Sequence, residues 1–319
     1  MKVNFITLDV FTQILFQGNP LAVILLDDDS PRLTQEQKQL VAREFNLSET
    51  IFIHDVKKLE NQADPNATFT IDIFTINQEL PFAGHPTIGA GWLLSRMYPK
   101  VDSFVLSTKA GKIPVSKVPG SHNTNGGIKL QIPIDFKEHS SYHSPELKSK
   151  SRQSPDYVNG VDGAEPVASI VKGMSFMLLQ LTSVDALSNF QPITSSLQIP
   201  DEHLGAWRGF SALYVFVLDD ANSQEASERG LTTVHTRMFE GGFEDPATGS
   251  AASTLCGWLA ARTLKGPGSW KFHVIQGVDM GRESHIELYV EVGRDGEIEK
   301  IELAGGAVEA MRGTITLRV

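Results

Sequence analysis

The chain has 319 residues, 41% hydrophobic and 21% charged, a composition that excludes a disordered or collagen-like protein. Asp and Glu (38) outnumber Lys and Arg (28), and the formal net charge of -10 disfavours binding to nucleic acid or anionic membranes. Cys256 is the one cysteine, which excludes an intramolecular disulfide and favours a reducing, cytoplasmic compartment. At roughly 150 residues per domain, this length predicts two domains.

The first half of the chain predicts strands around a helix that follows a tight turn. Apolar residues predict strands over 3–8, 21–26, 51–53 and 69–73. Thr34 and Gln37 stand in capping-box spacing ahead of a helix that ends near Asn46. Pro86 suits the first position of a second helix, which we expect over about residues 86–97.

The second half predicts the same arrangement after a polar segment. Residues 137–166 are polar and proline-rich without an apolar period, which indicates a long surface loop. We therefore predict domains of 1–128, joined by the last C-terminal strand, and 129–319. Asp245 is a plausible N-cap and Pro246 a first helical residue, for a helix of small residues that stops at Gly266. Each half thus places strands around one small-residue helix that begins with a proline.

The starts of the two predicted helices are candidate anion sites. The amides of the first helical turn have no partner within the helix, so Gly84 and His85 in one half, and residues 245–250 in the other, favour a carboxylate. The simpler alternative is that Asp245 only caps its helix and that His85 is a buried turn residue.

Glu49 is a candidate acid/base group because it lies between a predicted helix end and a predicted strand. A carboxylate that faces a cleft has its pKa raised by burial, which allows proton exchange near neutrality. The alternative is a solvated surface glutamate, as most glutamates are.

Other chemical constellations are weakly supported. Ser250 does not stand in a G-x-S-x-G elbow, so it is a polar pocket residue or a helix-cap serine. His139 and His143 have a ligand-like interval but lie in the polar segment, where we expect solvent exposure and no metal. Gly89-Ala90-Gly91 lacks the third glycine of a dinucleotide fingerprint, and no Walker A sequence occurs. We expect neither a metal nor a cofactor.

Six sequence blocks in a fixed order extend over nearly the whole chain. They are DVFTQILFQGNPLAVIL at 9–25, NLSETIFI at 46–53, FTINQELPFAGHPTIGA at 74–90, RMF at 237–239, EDPATGSAAS at 244–253 and QGVDMGRESHI at 276–286. On these blocks the chain resembles the phenazine-biosynthesis PhzF-like family, whose fold is that of diaminopimelate epimerase.

The resemblance implies an α+β protein of two pseudo-equivalent domains. Each domain is expected to be a curved, mostly antiparallel sheet or barrel around a central helix, with the active site in the cleft between domains. The resemblance implies that Glu49 moves a substrate proton and that His85 and Asp245 are its catalytic partners. It further implies that the substrate carboxylate is bound at the substrate-binding residues, Gly84, Gly249 and Ser250. It implies a homodimer that needs no cofactor.

The chain departs from the family pattern in two places that affect substrate choice. Glu283 stands where the family commonly has proline, and the segment 137–166 is enlarged. With Cys256 as the only thiol, racemisation by two facing cysteines is excluded.

Three hypotheses follow for a small, carboxylate-bearing substrate. The first is a cofactor-independent isomerase that shifts a proton and a double bond. The second is an amino-acid epimerase or racemase that uses Glu49 with Asp245 or His85 instead of thiols. The third is a non-catalytic metabolite-binding protein.

Overall fold

The computed structural model describes residues 2–27, 32–56, 67–118, 126–144, 147, 156–191, 199–219, 231–263 and 267–317. The chain divides into two compact units, which we call unit 1 (residues 1–132 and 303–319) and unit 2 (residues 133–302). The predicted domains, 1–128 joined by the last C-terminal strand and 129–319, stay a prediction.

Strands dominate the secondary structure of the described residues. They are β1 (Lys2–Val10), β2 (Asn19–Leu26), β3 (Thr50–His54), β4 (Thr68–Phe74), β5 (Glu79–Leu80), β6 (Ser103–Thr108), β7 (Gly111–Val118), β8 (Gly127–Gln131), β9 (Lys137–Tyr142), β10 (Glu165–Val171), β11 (Met174–Gln180), β12 (Phe210–Leu218), β13 (Leu231–Glu240), β14 (Phe243–Asp245), β15 (Gly268–Gln276), β16 (Ser284–Val292), β17 (Ile298–Gly305) and β18 (Ala307–Thr316). The α-helices are α1 (Gln35–Phe45), α2 (Gly84–Met97), α3 (Val184–Asn189), α4 (Asp201–Leu204) and α5 (Gly249–Trp258).

Unit 1 is a mixed, mostly antiparallel sheet that packs on α2. Strand β1 pairs antiparallel with β18 and β2, and β2 pairs parallel with β3. Strand β4 pairs antiparallel with β3 and β5 but parallel with β6, which continues antiparallel through β7 to β8. Helix α2 contacts β1, β2, β3, β8 and β18. The helix is therefore the core of the unit, and 11 of its 14 residues are buried.

Unit 2 repeats the pairing pattern of unit 1. Strand β10 pairs antiparallel with β9 and β11, β11 parallel with β12, and β12 antiparallel with β13. Strand β13 then pairs antiparallel with the short β14 and parallel with β15, which pairs antiparallel with β16. Helix α5 packs against β10, β11 and β16. The α+β class and its two pseudo-equivalent units are thus confirmed.

The repeat is also visible in the register of the two short hairpins. Phe74 pairs with Glu79 in unit 1, and Phe239 pairs with Glu244 in unit 2. Helices α2 and α5 each begin ten residues after the phenylalanine. Residues 165 apart are therefore equivalent in this region.

Both helix starts differ from the prediction. Helix α2 begins at Gly84, so Pro86 is its third residue. Helix α5 begins at Gly249 with Thr248 as N-cap, so neither Asp245 nor Pro246 holds its predicted position. The physical reason is that Asp245 is held in the hairpin ladder opposite Met238. Gly266, the predicted end, lies outside the described residues, and α5 ends at Trp258, followed by a π-helical turn, Leu259–Thr263.

The capping box of α1 is confirmed. The Thr34 hydroxyl accepts from the Gln37 amide, and the Gln37 side chain accepts from the Thr34 amide. Asn46 ends the helix in the left-handed conformation, with φ of 51°. Short polar side chains tolerate this conformation, so the sequence alone located both ends.

The predicted surface loop 137–166 is partly wrong. Residues 137–142 form β9, which pairs with β10, so this part of the segment is a strand. His139 is buried, and its Nε2 lies 2.9 Å from the Ser169 hydroxyl, whereas His143 is exposed as expected. In this strand a polar side chain, His139, is the buried residue and contacts Ser169, which apolar periodicity does not detect. Residues 145, 146 and 148–155 lie outside the described residues.

Among the described helices, none has the length and apolarity required to cross a membrane. The predicted compartment stays a prediction.

A partly buried ion-pair cluster joins α1 to the sheet of unit 1. Asp72 contacts the Lys38 ammonium, and its Oδ2 lies 2.7 Å from Nε2 of His54. Burial raises the pKa of Asp72, but hydrogen bonds and attraction from His54 and Lys38 outweigh burial and lower the pKa to about 2. The cluster therefore favours the ionised carboxylate in the folded chain.

We predict that Asp72→Asn destabilises the protein by about 1–2 kcal/mol at neutral pH, because it removes charge-assisted hydrogen bonds. Since the folded-state pKa is depressed, this stabilisation is present above the unfolded value of about 3.9 and is lost as pH falls through about 2. Urea unfolding of the wild type and of Asp72→Asn from pH 2 to 7 measures the difference in their free energies of unfolding. The exposed Asp135→Asn is the control, and an equal loss at pH 2 and pH 7 would contradict the ionic origin.

Candidate active site

Glu49 lies where the sequence places it, between the end of α1 and the start of β3. The left-handed Asn46 turns the chain out of the helix, and Thr50 then enters the parallel ladder opposite Ala22. The short connection leaves the Glu49 side chain next to the N-terminus of α2.

Glu49 and His85 form a pair. Oε2 of Glu49 is 3.1 Å from Nδ1 of His85, and the side chains are only 18% and 4% exposed. Nε2 of His85 is buried and has no hydrogen-bond partner among the described residues. A buried ring nitrogen is costly unless it is hydrogen-bonded, so Nε2 is available to bond a bound group or water. The two side chains are thus suited to proton exchange.

The pKa of Glu49 is lowered, opposite to the predicted direction. Burial raises it, but attraction to His85 and hydrogen bonds from His85 and Ser48 lower it more. The sequence argument included burial and missed the compensating partner. Glu49 is therefore an ionised carboxylate near neutral pH, ready to accept a proton.

Asp245 ends β14 in unit 2 and is buried. The Thr248 hydroxyl donates to its Oδ2 over 2.5 Å, and the Gln276 amide donates to its main-chain carbonyl over 2.8 Å. The carboxylate is thus held by a donor from the N-cap residue of α5.

The other predicted binding residues occupy equivalent places in the two helices. Gly84 and Gly249 are the first residues of α2 and α5, and His85 and Ser250 are the second. Amides at helix starts lack partners within the helix and favour anions. Each helix therefore begins with amides that lack intrahelical partners and with one polar side chain at its second position.

The acid/base groups are divided unequally between the two repeats. The ladder pairs Thr50 with Phe74 in unit 1 and Leu213 with Phe239 in unit 2, so Ala212 stands where unit 1 has Glu49. Leu80 of β5 stands where unit 2 has Asp245. Unit 1 brings together Glu49, His85 and Gly84, and unit 2 brings together Asp245, Gly249 and Ser250. Their catalytic and binding roles stay predictions.

Sequence reasoning missed a polar network beside Asp245. Buried Tyr214, Thr236, Thr248 and Gln276 are linked to one another by hydrogen bonds. The available signal was a polar residue, Gln276, that follows Val274 and Ile275 at the end of strand β15 and precedes a glycine. No group of three or more His, Cys, Asp or Glu residues that could hold a metal occurs in the part of the chain described.

A model of the phenazine biosynthesis-like protein family, PhzC-PhzF, matches residues 8–313. The chain belongs to this family. It is 30% identical to trans-2,3-dihydro-3-hydroxyanthranilate isomerase of Pseudomonas aeruginosa, over 97% of the chain and 98% of the relative. Several curated relatives have names of isomerases, and the chain is an isomerase of the PhzF-like type. The predicted resemblance and enzyme class are confirmed.

Solved structures show the same fold. A PhzF-family phenazine biosynthesis protein of Bacillus anthracis matches with a TM-score of 0.77 and 20% identity, covering 99% of this chain and 100% of that one. A probable proline racemase of Agrobacterium radiobacter matches with a TM-score of 0.61 and 11% identity, covering 99% and 93%. At these identities the likeness concerns the fold alone.

We predict that His85→Ala raises the pKa of Glu49, because burial remains while the lowering attraction and hydrogen bond of His85 are lost. A ¹³C NMR titration of labelled glutamate carboxyls measures the shift, with the Glu49 signal assigned from Glu49→Gln. The pKa of Glu309, lowered by Arg312, should not change. His85→Asn, which keeps a donor without a charge, should give a smaller rise. An unchanged Glu49 titration in His85→Ala would contradict the pairing.

Proposed function

We propose that this isomerase is cofactor-independent and transfers a proton, and with it a double bond, on a small carboxylated metabolite. The observation that carries the proposal is the largely buried pair of Glu49 and His85, in which an ionised carboxylate lies 3.1 Å from an imidazole at the start of a buried helix. A positioned carboxylate of this kind is a general base, and after it takes a proton it is the matching general acid.

The proposed reaction conserves atoms and electrons. Glu49 removes a proton from a substrate carbon, and the C–H electron pair becomes a new double bond. The electrons of the existing double bond then take the proton back from Glu49 at a more distant carbon. Nδ1 of His85 donates a hydrogen bond to Glu49 while it is anionic. Since substrate and product have the same oxidation state, the reaction requires no oxidant or reductant.

We assign substrate binding to the helix termini. The amides of Gly84, Gly249 and Ser250 would hold the substrate carboxylate, because uncompensated amides at helix starts favour anions. Asp245 would accept a hydrogen bond from a substrate hydroxyl or amino group. This assignment includes the proposal that residues of both units act on one substrate molecule in a cleft between the units.

The compound to assay first is trans-2,3-dihydro-3-hydroxyanthranilate, because it is the substrate in the name of a relative at 30% identity. It bears the required carboxylate and double bonds. Glu283, which replaces the family's proline, leads us to include other unsaturated carboxylates in the assay. We propose no nucleic-acid or membrane partner, given the net charge of -10.

We predict that Glu49→Gln lowers turnover by about 10²–10⁴-fold and keeps the fold, because glutamine retains the shape but cannot exchange a proton. NMR in deuterated water follows deuterium entering the substrate carbon. Calorimetry with anthranilate, whose aromatic ring offers no transferable C–H proton, should give an unchanged affinity. The control is Glu36→Gln on the exposed side of α1.

The outcomes distinguish the alternatives. A proton shift along a conjugated system changes the ultraviolet spectrum, whereas epimerisation changes optical rotation and leaves the spectrum unchanged. Wild-type activity in Glu49→Gln would overturn the assignment of the base. Binding of the substrate by the wild-type chain without formation of an isomeric product would overturn turnover by proton transfer.

We also propose a homodimer. Light scattering at micromolar concentrations should then give twice the 35.0 kDa mass of the chain. A single-chain mass throughout that range would contradict this proposal.

A further inference from the structure

The Gln276 side chain has all its polar groups engaged although it is fully buried. Its Nε2 donates to the Asp245 carbonyl over 2.8 Å and to the Thr248 hydroxyl over 3.1 Å. Its Oε1 accepts from the Thr248 amide over 3.2 Å and from the Tyr214 hydroxyl over 3.0 Å. Both donors and the acceptor are thus used, which fixes the orientation of the amide.

This orientation determines the direction of the next hydrogen bond. The Thr248 hydroxyl accepts from Gln276, so its single hydrogen is available for Oδ2 of Asp245. Burial raises the pKa of Tyr214 well above its usual value, so its hydroxyl stays protonated and remains a donor. Hydrogen bonds therefore run in one direction, from Gln276 through Thr248 to the Asp245 carboxylate.

Gly277 brings Gln276 close to Asp245. Its φ is +77°, and an added Cβ would come within 2.7 Å of the Pro246 carbonyl oxygen and 2.5 Å of the Arg282 carbonyl oxygen. The chain approaches so closely here that only glycine fits. The end of β15 is consequently packed directly on the segment that carries Asp245.

Unit 1 provides an internal comparison, because it builds the same fold without this network. By ladder register, Ile51 and Ile71 stand where unit 2 has Tyr214 and Thr236. By separation along the chain, Leu80 stands where unit 2 has Asp245, and Ala83 is the N-cap where unit 2 has Thr248. Buried polar groups cost stability unless fully paired, and apolar residues suffice at these positions. The network in unit 2 therefore serves something other than the fold.

We propose that Gln276 and Thr248, supported by Tyr214, are positioning residues that hold the Asp245 carboxylate in one orientation for contact with substrate. The inference rests on the proposed function, in which Asp245 accepts a hydrogen bond from the substrate. The hydrogen bond from Thr248 restrains the orientation of the carboxylate, and a displacement of about 1 Å at a catalytic group costs on the order of 10²-fold in rate.

The test compares two substitutions of one residue. Thr248→Val removes the hydroxyl but keeps the side-chain shape and the main-chain amide, and should lower kcat by about 10- to 100-fold. Thr248→Ser restores the hydroxyl and should stay within about 3-fold of wild type. Calorimetric affinity for anthranilate should be unchanged in both, since the helix amides are retained. The matched control is Thr87→Val in α2, whose buried hydroxyl donates to the Ala83 carbonyl, and which should keep wild-type kcat.

A crystal structure of Thr248→Val provides a measurement that needs no substrate. We expect the Asp245 side chain to adopt a second orientation or to lose order. An Asp245 side chain that stays in place, or wild-type kcat in Thr248→Val, would overturn the proposal. Equal losses in Thr248→Ser and Thr248→Val would also overturn it, because the hydroxyl would then not be the cause.

Two further variants complete the design. If Thr248→Val does not fold, Tyr214→Phe removes one donor to Gln276 and should lower kcat by about 3- to 10-fold with the fold kept; wild-type kcat there would count against the network. Glu49→Gln separates the two proposals. If Glu49→Gln is inactive and Thr248→Val is fully active, only the positioning role is contradicted. If Glu49→Gln is fully active and Thr248→Val has lost activity, only the assignment of Glu49 is contradicted.

Discussion

Each unit depends on a helix that is buried along most of its length, which requires the helix to be narrow. Gly89 in α2 illustrates the constraint, because an added Cβ would lie 2.3 Å from Cδ2 of Leu21 in β2. Packing at this density leaves no room for an extra methyl group without displacement. The same burial removes water from the first turn of the helix, where amides have no intrahelical partner. A sheet that packs around a helix of small residues thus leaves the polar amides of the first helical turn in a buried setting.

The two repeats use this scaffold differently. Unit 1 has a carboxylate–imidazole pair, Glu49 and His85, at the start of its helix. Unit 2 has Asp245 with a set of fixed hydrogen-bond donors instead. In the proposed mechanism one repeat moves the proton and the other orients the substrate. The two repeats have thus diverged at equivalent positions, so that proton transfer and substrate orientation are assigned to different repeats. The residue at the equivalent position of the other repeat suggests which substitution the fold tolerates.

The sequence predicted those features that depend on local chemistry. The capping box of Thr34 and Gln37 and the left-handed Asn46 are decided within a few residues, and α1 has the expected ends. The family blocks led to the correct fold and enzyme class. Features that depend on partners distant in the chain were not predictable in this way. The lowered pKa of Glu49 depends on His85, and the strand at residues 137–142 depends on pairing with β10.

Asp245 is the instructive intermediate case. Its type and the following proline fit a helix cap, yet the ladder holds it in β14 and moves the helix start to Gly249. Local preference gave way to pairing with Met238. Gln276 was not identified as a site residue, because its position at a strand end before a glycine does not reveal its four hydrogen bonds.

Strand β18 has a consequence for the order in which the protein forms. Lys2 of β1 pairs with Thr316 of β18, so the sheet of unit 1 joins segments separated by about 300 residues. Closing such a loop is entropically costly and slow. During synthesis from the N-terminus, β1 emerges long before its partner. Unit 2, which is continuous in sequence, has all its strands available on the ribosome before unit 1 obtains its last one. Until then one edge of β1 lacks its partner strand, so nascent chains are most exposed to strand-mediated association at this edge.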